Sequence, residues 1–140
     1  MARRSHDEQA EHDRVVLLVA AQRFPRETCH VITNPGTEEN LGLTYVTDDG
    51  DGYTVYPDIV AVVRPDREIV AVGEVETQST VTRAHSGQWR LFAQHANACY
   101  LFVPAESVEA ARPLVHGIKN LRLRAYSFDA HGNIVVTDVP

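Results

Sequence analysis

The chain has 140 residues and a formal net charge of -6, and its length fits one ordinary domain, 1–140, with a sizeable buried core. The acidic balance excludes a free-standing, non-specific nucleic-acid binder, which needs a basic surface, but not an enzyme whose carboxylates hold a divalent cation. No apolar run reaches the roughly 20 residues that span a bilayer, and the charged start lacks a signal-type stretch, so we expect a cytoplasmic protein.

The first predicted element is a helix over 7–23. Val15, Leu18 and Val19 have the i, i+3, i+4 spacing of a helical apolar stripe. Proline lacks an amide hydrogen, so Pro25 ends this helix.

Short strands and loops follow the first helix. The composition of 28–33 predicts a strand. Turn-forming residues at 34–36, 42 and 48–52 predict exposed, mobile loops on either side of a short strand at 43–46.

The clearest pattern lies in the centre of the chain. Two runs rich in Val and Ile, 53–63 and 68–76, are separated by 64–67, where Pro65 suits the second position of a turn. This pattern predicts an antiparallel β-hairpin.

The remaining elements alternate in type. A second helix is predicted at 81–96 with Ser79 or Thr80 as its cap, although Gly87 weakens it. The apolar run 98–103 predicts a buried strand in the middle of the sheet. A third helix at 105–112, interrupted by Pro113, and two strands at 121–128 and 134–136, paired across the turn 129–133, complete the list. The order predicts an α/β or α+β fold with a mixed central sheet flanked by helices.

The hairpin brings acidic residues together, depending on its register. Asp58 lies opposite either Gly73 or Glu74, and only the second register puts Asp58 and Glu74 on one face, because directly opposed residues point the same way. A bulge near Pro57 would give the same result from the first register. Glu74 and Glu76 share a face in either case, since side chains alternate along a strand.

Three carboxylates on an apolar sheet need neutralisation. On the expected alternation, Val70 and Val72 share the face of Glu74 and Glu76, so the acids stand in an apolar row. Burying like charges is costly, and a hard cation such as Mg²⁺ or Mn²⁺ resolves the conflict. The alternative is that this face of the hairpin is simply solvated.

The segment Tyr56-Pro57-Asp58, then residues 59–72, then Gly73-Glu74-Val75-Glu76-Thr77 before a helix containing Gln88-Trp89 resembles the PD-(D/E)xK (restriction-endonuclease-like) nuclease superfamily. The resemblance covers roughly 8–128. It implies an αβββαβ core, a Mg²⁺ or Mn²⁺ cofactor, and DNA as substrate. It also implies metal binding by the carboxylates of Asp58 and Glu74 and the carbonyl of Val75.

The chain departs from the family at the usual lysine, where it has Glu76. A minority of restriction-enzyme relatives have E-x-E, so this departure is compatible with the resemblance. It leaves open which group activates the attacking water. Lys119 is the only lysine among thirteen basic residues, so no nearby lysine replaces it. Arg90 is a conceivable substitute in charge, but its high pKa makes it useless as a base.

Other residues agree with the resemblance less specifically. Gln88 and Phe92 form a relaxed version of the Gln-x-x-x-Tyr element of helicase-associated branches. Glu11 is the preferred acid of the first helix, as the family often has one there. Arg83 and Arg90 lie seven apart on one helix face and are candidate contacts to DNA phosphates. Each of these residues could equally be an ordinary polar residue on a solvated surface.

The seven histidines form no HxH or HxxxH pair, and only His85 is near the predicted site. The two cysteines are expected to be structural, because no metal-ligand spacing surrounds them.

Two functions remain open. The first is metal-dependent hydrolysis of DNA, with Asp58 and Glu74 holding the cation and Glu76 orienting or deprotonating water. The second is a catalytically inactive scaffold of this type that binds DNA or a protein. A homodimer is compatible with either function, since two copies would offer a longer surface for binding DNA.

Overall fold

A computed structural model describes residues 4–24, 28–35, 38–63 and 68–140 of the chain. Within them lie three helices and eight strands. In chain order these are α1 (His6–Arg23), β1 (Cys29–Thr33), β2 (Leu43–Val46), β3 (Gly52–Val55), β4 (Ile59–Val63), β5 (Glu68–Val75), α2 (Arg83–His95), β6 (Cys99–Pro104), α3 (Val108–Val115), β7 (Leu121–Phe128) and β8 (Ile134–Asp138). No described helix is long and apolar enough to cross a membrane.

Six of the strands form one mixed sheet in the order β1-β4-β5-β6-β7-β8. The pairs β5-β6 and β6-β7 are parallel, whereas the other three pairs are antiparallel. β2 and β3 form a separate antiparallel hairpin inserted between β1 and β4. The predicted class, a mixed α/β fold, is confirmed. If the separate β2-β3 hairpin is left out, the elements from α1 to β6 follow the order α, β, β, β, α, β.

Helices cover both faces of this sheet. The α1 stripe Val15, Val16, Val19 and Ala20 packs on one face, in the cluster that contains Phe102 and Tyr126. On the other face, Phe92 and Trp89 of α2 pack against alternating residues of the inner strands, such as Leu101 and Val103 of β6. The inner strands β5 and β6 are therefore buried on both faces, as expected for parallel pairs covered by helices.

The structure corrects several predicted bounds. The predicted strand 53–63 is two strands, because the chain turns out of the sheet at Tyr56-Pro57-Asp58 between β3 and β4. The cap of α2 is Thr82, whose hydroxyl accepts from the amide of His85, while Ser79 and Thr80 belong to a separate 3-10 turn. Pro113 lies inside α3 rather than ending it.

The structure also differs from the prediction that the first loop is exposed throughout. Asn34 is buried, and its amide nitrogen donates to the carbonyl oxygens of Leu41 and Pro57 at 2.9 and 2.6 Å. This part of the loop is consequently held in place rather than exposed. The predicted turn 64–67, the helix-ending Pro25 and Gly36 of the first loop lie outside the described residues.

A bulge in β5 sets the register of the central hairpin. Near the turn Val62 pairs with Ile69, but beyond a shift between Ala61 and Val62 the partners are Ala61 and Ala71, and Ile59 faces Gly73. The extra residue is Val70, so the bulge lies in β5 and not near Pro57 as one alternative had it. It also turns Val70 towards the α1 cluster, away from the face of Glu74. The register that results would place Asp58 opposite Glu74, directly beyond the last strand pair.

Candidate active site

Asp58 and Glu74 are locked to each other at the end of the β4-β5 pairing. The amide of Asp58 donates to Oε1 of Glu74 at 2.8 Å, and the amide of Val75 donates to Oδ2 of Asp58 at 2.8 Å. These two bonds replace the regular strand ladder where the chain enters β4. Both side chains are largely buried, so each carboxylate has a fixed direction.

The two carboxylates face a small polar cavity of about 140 Å³, called the acidic cavity below. It lies between the N-terminal part of α1, the ends of β4 and β5, and the start of α2. Its described lining consists entirely of polar and titratable side chains: Arg4, His12, Tyr56, Asp58, Glu74, Glu76, His85 and Gln88.

Glu76 is the most deeply buried of the three acids, with 1% of the residue exposed. The indole nitrogen of Trp89 donates to its Oε1 at 3.2 Å, and the Tyr126 hydroxyl donates to its backbone oxygen at 2.8 Å. Its other oxygen, Oε2, lies 3.7 Å from Nδ1 of His85. Glu76 is thus anchored from both α2 and β7.

His12 connects the first helix to the site. Its Nε2 lies 3.1 Å from Oδ2 of Asp58, and its Nδ1 lies 2.9 Å from Oδ1 of Asp13. Burial lowers the pKa of His12, but the hydrogen bond to Asp58 and the charge of Asp58 outweigh it, so the pKa is raised overall. Carboxylates only accept hydrogen bonds, and the doubly protonated ring satisfies both.

Arg4 brings a permanent positive charge into the cavity. Its Nη2 donates to the backbone oxygen of Val75 at 3.1 Å and lies 3.5 Å from Oε2 of Glu76. Its Nε donates to the hydroxyl of Thr77 at 3.2 Å. The amide of Thr77 donates to the hydroxyl of Thr80 at 3.0 Å, which keeps this turn tight.

Burial and mutual repulsion disfavour the charged forms of the acids. Burial is the largest cause that raises the pKa of Glu74 well above its ordinary value, followed by the charges of Asp58 and Glu76. Burial also raises the pKa of Glu76, although the hydrogen bond from Thr80, the charge of Arg4 and the hydrogen bond from Trp89 oppose it. A cavity that pushes acid pKa values upward in this way is a favourable place for a cation.

The residues predicted from sequence divide into two groups. Asp58, Glu74, Glu76 and Gln88 meet at the cavity, and Val75 contributes its backbone there. Glu11, Arg83 and Arg90 are exposed and are not among the residues that line it. The cation beside Glu76 is Arg4, where Arg90 had been considered.

Arg4 and His12 were missed by the sequence argument. His12 stands three and four positions before the buried Val15 and Val16, so a polar residue on the apolar stripe was the available signal. Glu11, the acid that was predicted for the first helix, is exposed. Arg4 carries no local signal, because its partners lie more than 70 positions away.

Comparisons with protein-family models, with curated proteins and with solved structures found no match to this chain. Within the described residues, no group of three or more His, Cys, Asp or Glu side chains is arranged to hold a metal ion. The site therefore has to be interpreted from its own chemistry.

Proposed function

We propose that this chain is a divalent-metal-dependent phosphodiesterase that cleaves DNA, with Asp58, Glu74 and Glu76 at its active site. The observation that carries the proposal is the pairing of Asp58 with Glu74 on one polar cavity. The hydrogen bonds described above use Oδ2 of Asp58 and Oε1 of Glu74. The second oxygen of each carboxylate can then serve as a ligand.

The donor set suits Mg²⁺ or Mn²⁺ better than zinc. These cations prefer oxygen ligands, and the ends of β4 and β5 supply two carboxylates and the Val75 carbonyl. Asp58 and Glu74 would hold the ion, with Val75 as a further donor. When bound, the ion would polarise the scissile phosphate and lower the pKa of water.

The protein residues have separable roles around that centre. His12 holds the orientation of Asp58 through its Nε2, a positioning role. Glu76 is proposed to orient or deprotonate the attacking water through Oε2, since Oε1 is taken by Trp89. Gln88 reaches the same cavity from α2, and the exposed Arg83 and Arg90 of that helix are proposed contacts to the phosphate backbone.

A titration with MnCl₂ or MgCl₂ followed by a cleavage assay tests this proposal. Binding should stabilise the fold by about 2.7 kcal/mol at a metal concentration 100 times Kd. Asp58→Asn should abolish both this stabilisation and cleavage of single-stranded, duplex and branched DNA, whereas Asp48→Asn, an exposed loop control, should change neither. An undiminished metal response in Asp58→Asn would place the ion elsewhere.

The second candidate function is a binding module with an inactive site. It is favoured by the Arg4 guanidinium, which already compensates part of the acidic charge without a metal. This candidate predicts DNA or protein binding that is indifferent to Mg²⁺ and to Asp58→Asn, and no cleavage of any DNA form. Either function is consistent with a cytoplasmic protein and with a homodimer.

A further inference from the structure

Arg4 makes a set of contacts that a surface arginine does not make. Its guanidinium reaches the backbone of Val75, the side chain of Glu76 and the hydroxyls of Thr77 and Thr80, at 3.1 to 3.5 Å. Only 17% of its side chain is exposed. Arg4, two residues before α1, is therefore attached to the end of β5 through its guanidinium.

The charge of Arg4 acts on several titratable groups in and beside the acidic cavity. It opposes the rise in the pKa of Glu74 and of Glu76, and it contributes to the lowered pKa of Glu8, which is due mainly to the hydrogen bond from Ser79. It also opposes the rise in the pKa of His12. A monovalent cation thus partly compensates acids that repel one another.

The same guanidinium occupies an atom that the proposed metal site needs. The Val75 carbonyl accepts from Nη2 of Arg4 at 3.1 Å, so its oxygen already has a cationic partner. A divalent ion bound to that oxygen would stand beside the guanidinium. Even at the dielectric constant of water, divalent and monovalent cations about 5 Å apart repel enough to change an affinity about tenfold.

We propose that Arg4 is a built-in counter-ion of the acidic cavity, which holds the site together without metal and leaves the Val75 carbonyl when a divalent cation binds. This inference rests on the metal site of the proposed function but not on DNA cleavage. It also assigns a function to Arg4, namely to set the affinity of the site for metal.

Variants of Arg4 separate its charge from its hydrogen bonds. Arg4→Gln removes the charge, Arg4→Lys keeps it, and Arg122→Gln removes the same charge from an exposed position on β7 that does not line the cavity. Binding of Mn²⁺ is measured by calorimetry at low salt, and the unfolding midpoint is measured in EDTA.

Arg4→Gln should bind Mn²⁺ about tenfold more tightly than the parent and should unfold more easily in EDTA. Arg4→Lys should stay within about threefold of the parent in affinity, because the repulsion persists. Arg122→Gln should match the parent. The inference is overturned if Arg4→Gln and the parent bind Mn²⁺ equally, if Arg122→Gln tightens binding as much, or if none of these proteins binds Mn²⁺.

The unaltered protein gives an independent measurement. The Nε–H of Arg4 is hydrogen-bonded to Thr77, so its NMR signal should shift or exchange with solvent when MgCl₂ fills the site. An unchanged Arg4 signal in Mg²⁺-saturated protein would overturn the inference even if Arg4→Gln failed to fold. A variant that binds Mn²⁺ more tightly while no form cleaves DNA would support this inference and refute the proposed nuclease activity.

Discussion

The cavity on the α1 face of the sheet and the acidic cavity at the ends of β4 and β5 differ in size and in chemistry. The cavity on the α1 face measures about 540 Å³, against about 140 Å³ for the acidic cavity. The described lining of this larger cavity combines apolar side chains, such as Phe24, Ala61 and Phe102, with polar ones. Its two arginines, Arg23 and Arg124, are both paired with Asp138.

The comparison teaches that the volume of a cavity depends on how closely its side chains pack. Its chemical reactivity depends instead on which titratable groups line it. The larger cavity is a gap where α1 ends and apolar side chains meet imperfectly. The acidic cavity is small because Arg4, His12 and Glu76 reach into it, where Arg4 pairs with Glu76 and His12 pairs with Asp58. If this division is correct, perturbing the larger cavity should cost stability, and perturbing the acidic cavity should cost metal binding or activity.

The largest expected effect is the loss of packing in Phe24→Ala. A side chain at Gly73 would begin 3.0 Å from the ring of Phe24, so this ring closely covers the centre of β5. Removing it should cost about 3 kcal/mol of unfolding free energy, measured with urea in EDTA, while Phe24→Leu should cost less than about 1.5 kcal/mol. Metal affinity should not change in either variant. A loss of metal affinity as large as the loss of stability would show that the two cavities are coupled.

The second effect is on catalysis. Glu76→Gln keeps a carbonyl for the Trp89 indole but removes the charge, so cleavage should fall by about 10²-fold or more, the usual scale for a positioned acid or base. Glu68→Gln, at the exposed start of the strand that ends just before Glu76, is the matched control. Stability in EDTA should not decrease, because a buried charge has been removed. Cleavage at the parental rate would make Glu76 a bystander.

The elements of this fold could be predicted because their signals are local. Apolar runs and turn residues located most strands and all three helices, and the E-x-E spacing located Glu74 and Glu76. The register could not be decided locally, since it depends on one extra residue, Val70, whose position follows from packing against α1. The same holds for Arg4, whose partners become neighbours only when the chain folds.

The third prediction concerns pH in the absence of metal. Burial raises the pKa of Glu74 above its value in the unfolded chain, so the folded state binds more protons between the two pKa values. The contribution of Glu74 to stability is therefore fully present below its unfolded pKa and is lost as pH rises through the folded pKa.

Glu74→Gln removes this dependence and keeps an acceptor for the amide of Asp58. Urea midpoints measured in EDTA from pH 4 to pH 8 should therefore favour the variant increasingly as pH rises. A constant difference between parent and variant across this range would show that Glu74 titrates normally.

The smallest effect concerns the two cysteines, one on each side of the sheet. Cys29 is half-buried and lines the larger cavity, while Cys99 is fully buried with Phe92 and Val72 between the sheet and α2. Burial raises the pKa of the Cys99 thiol, and the charge of Glu74 raises it further, so its reactive thiolate is scarce. Iodoacetamide should label Cys29 in the native protein and both cysteines in urea, as counted by mass spectrometry.

Labelling of the cysteines also tests whether the larger cavity and the acidic cavity are independent of each other. An adduct on Cys29 enters the larger cavity without reaching the carboxylates, so Mn²⁺ affinity should stay the same after labelling. Native labelling of Cys99 would instead mean that the core beneath α2 opens, which would bring Glu74 into contact with solvent. In that case the burial that raises the pKa of Glu74 would be transient, and the pH dependence predicted for Glu74→Gln should weaken in parallel.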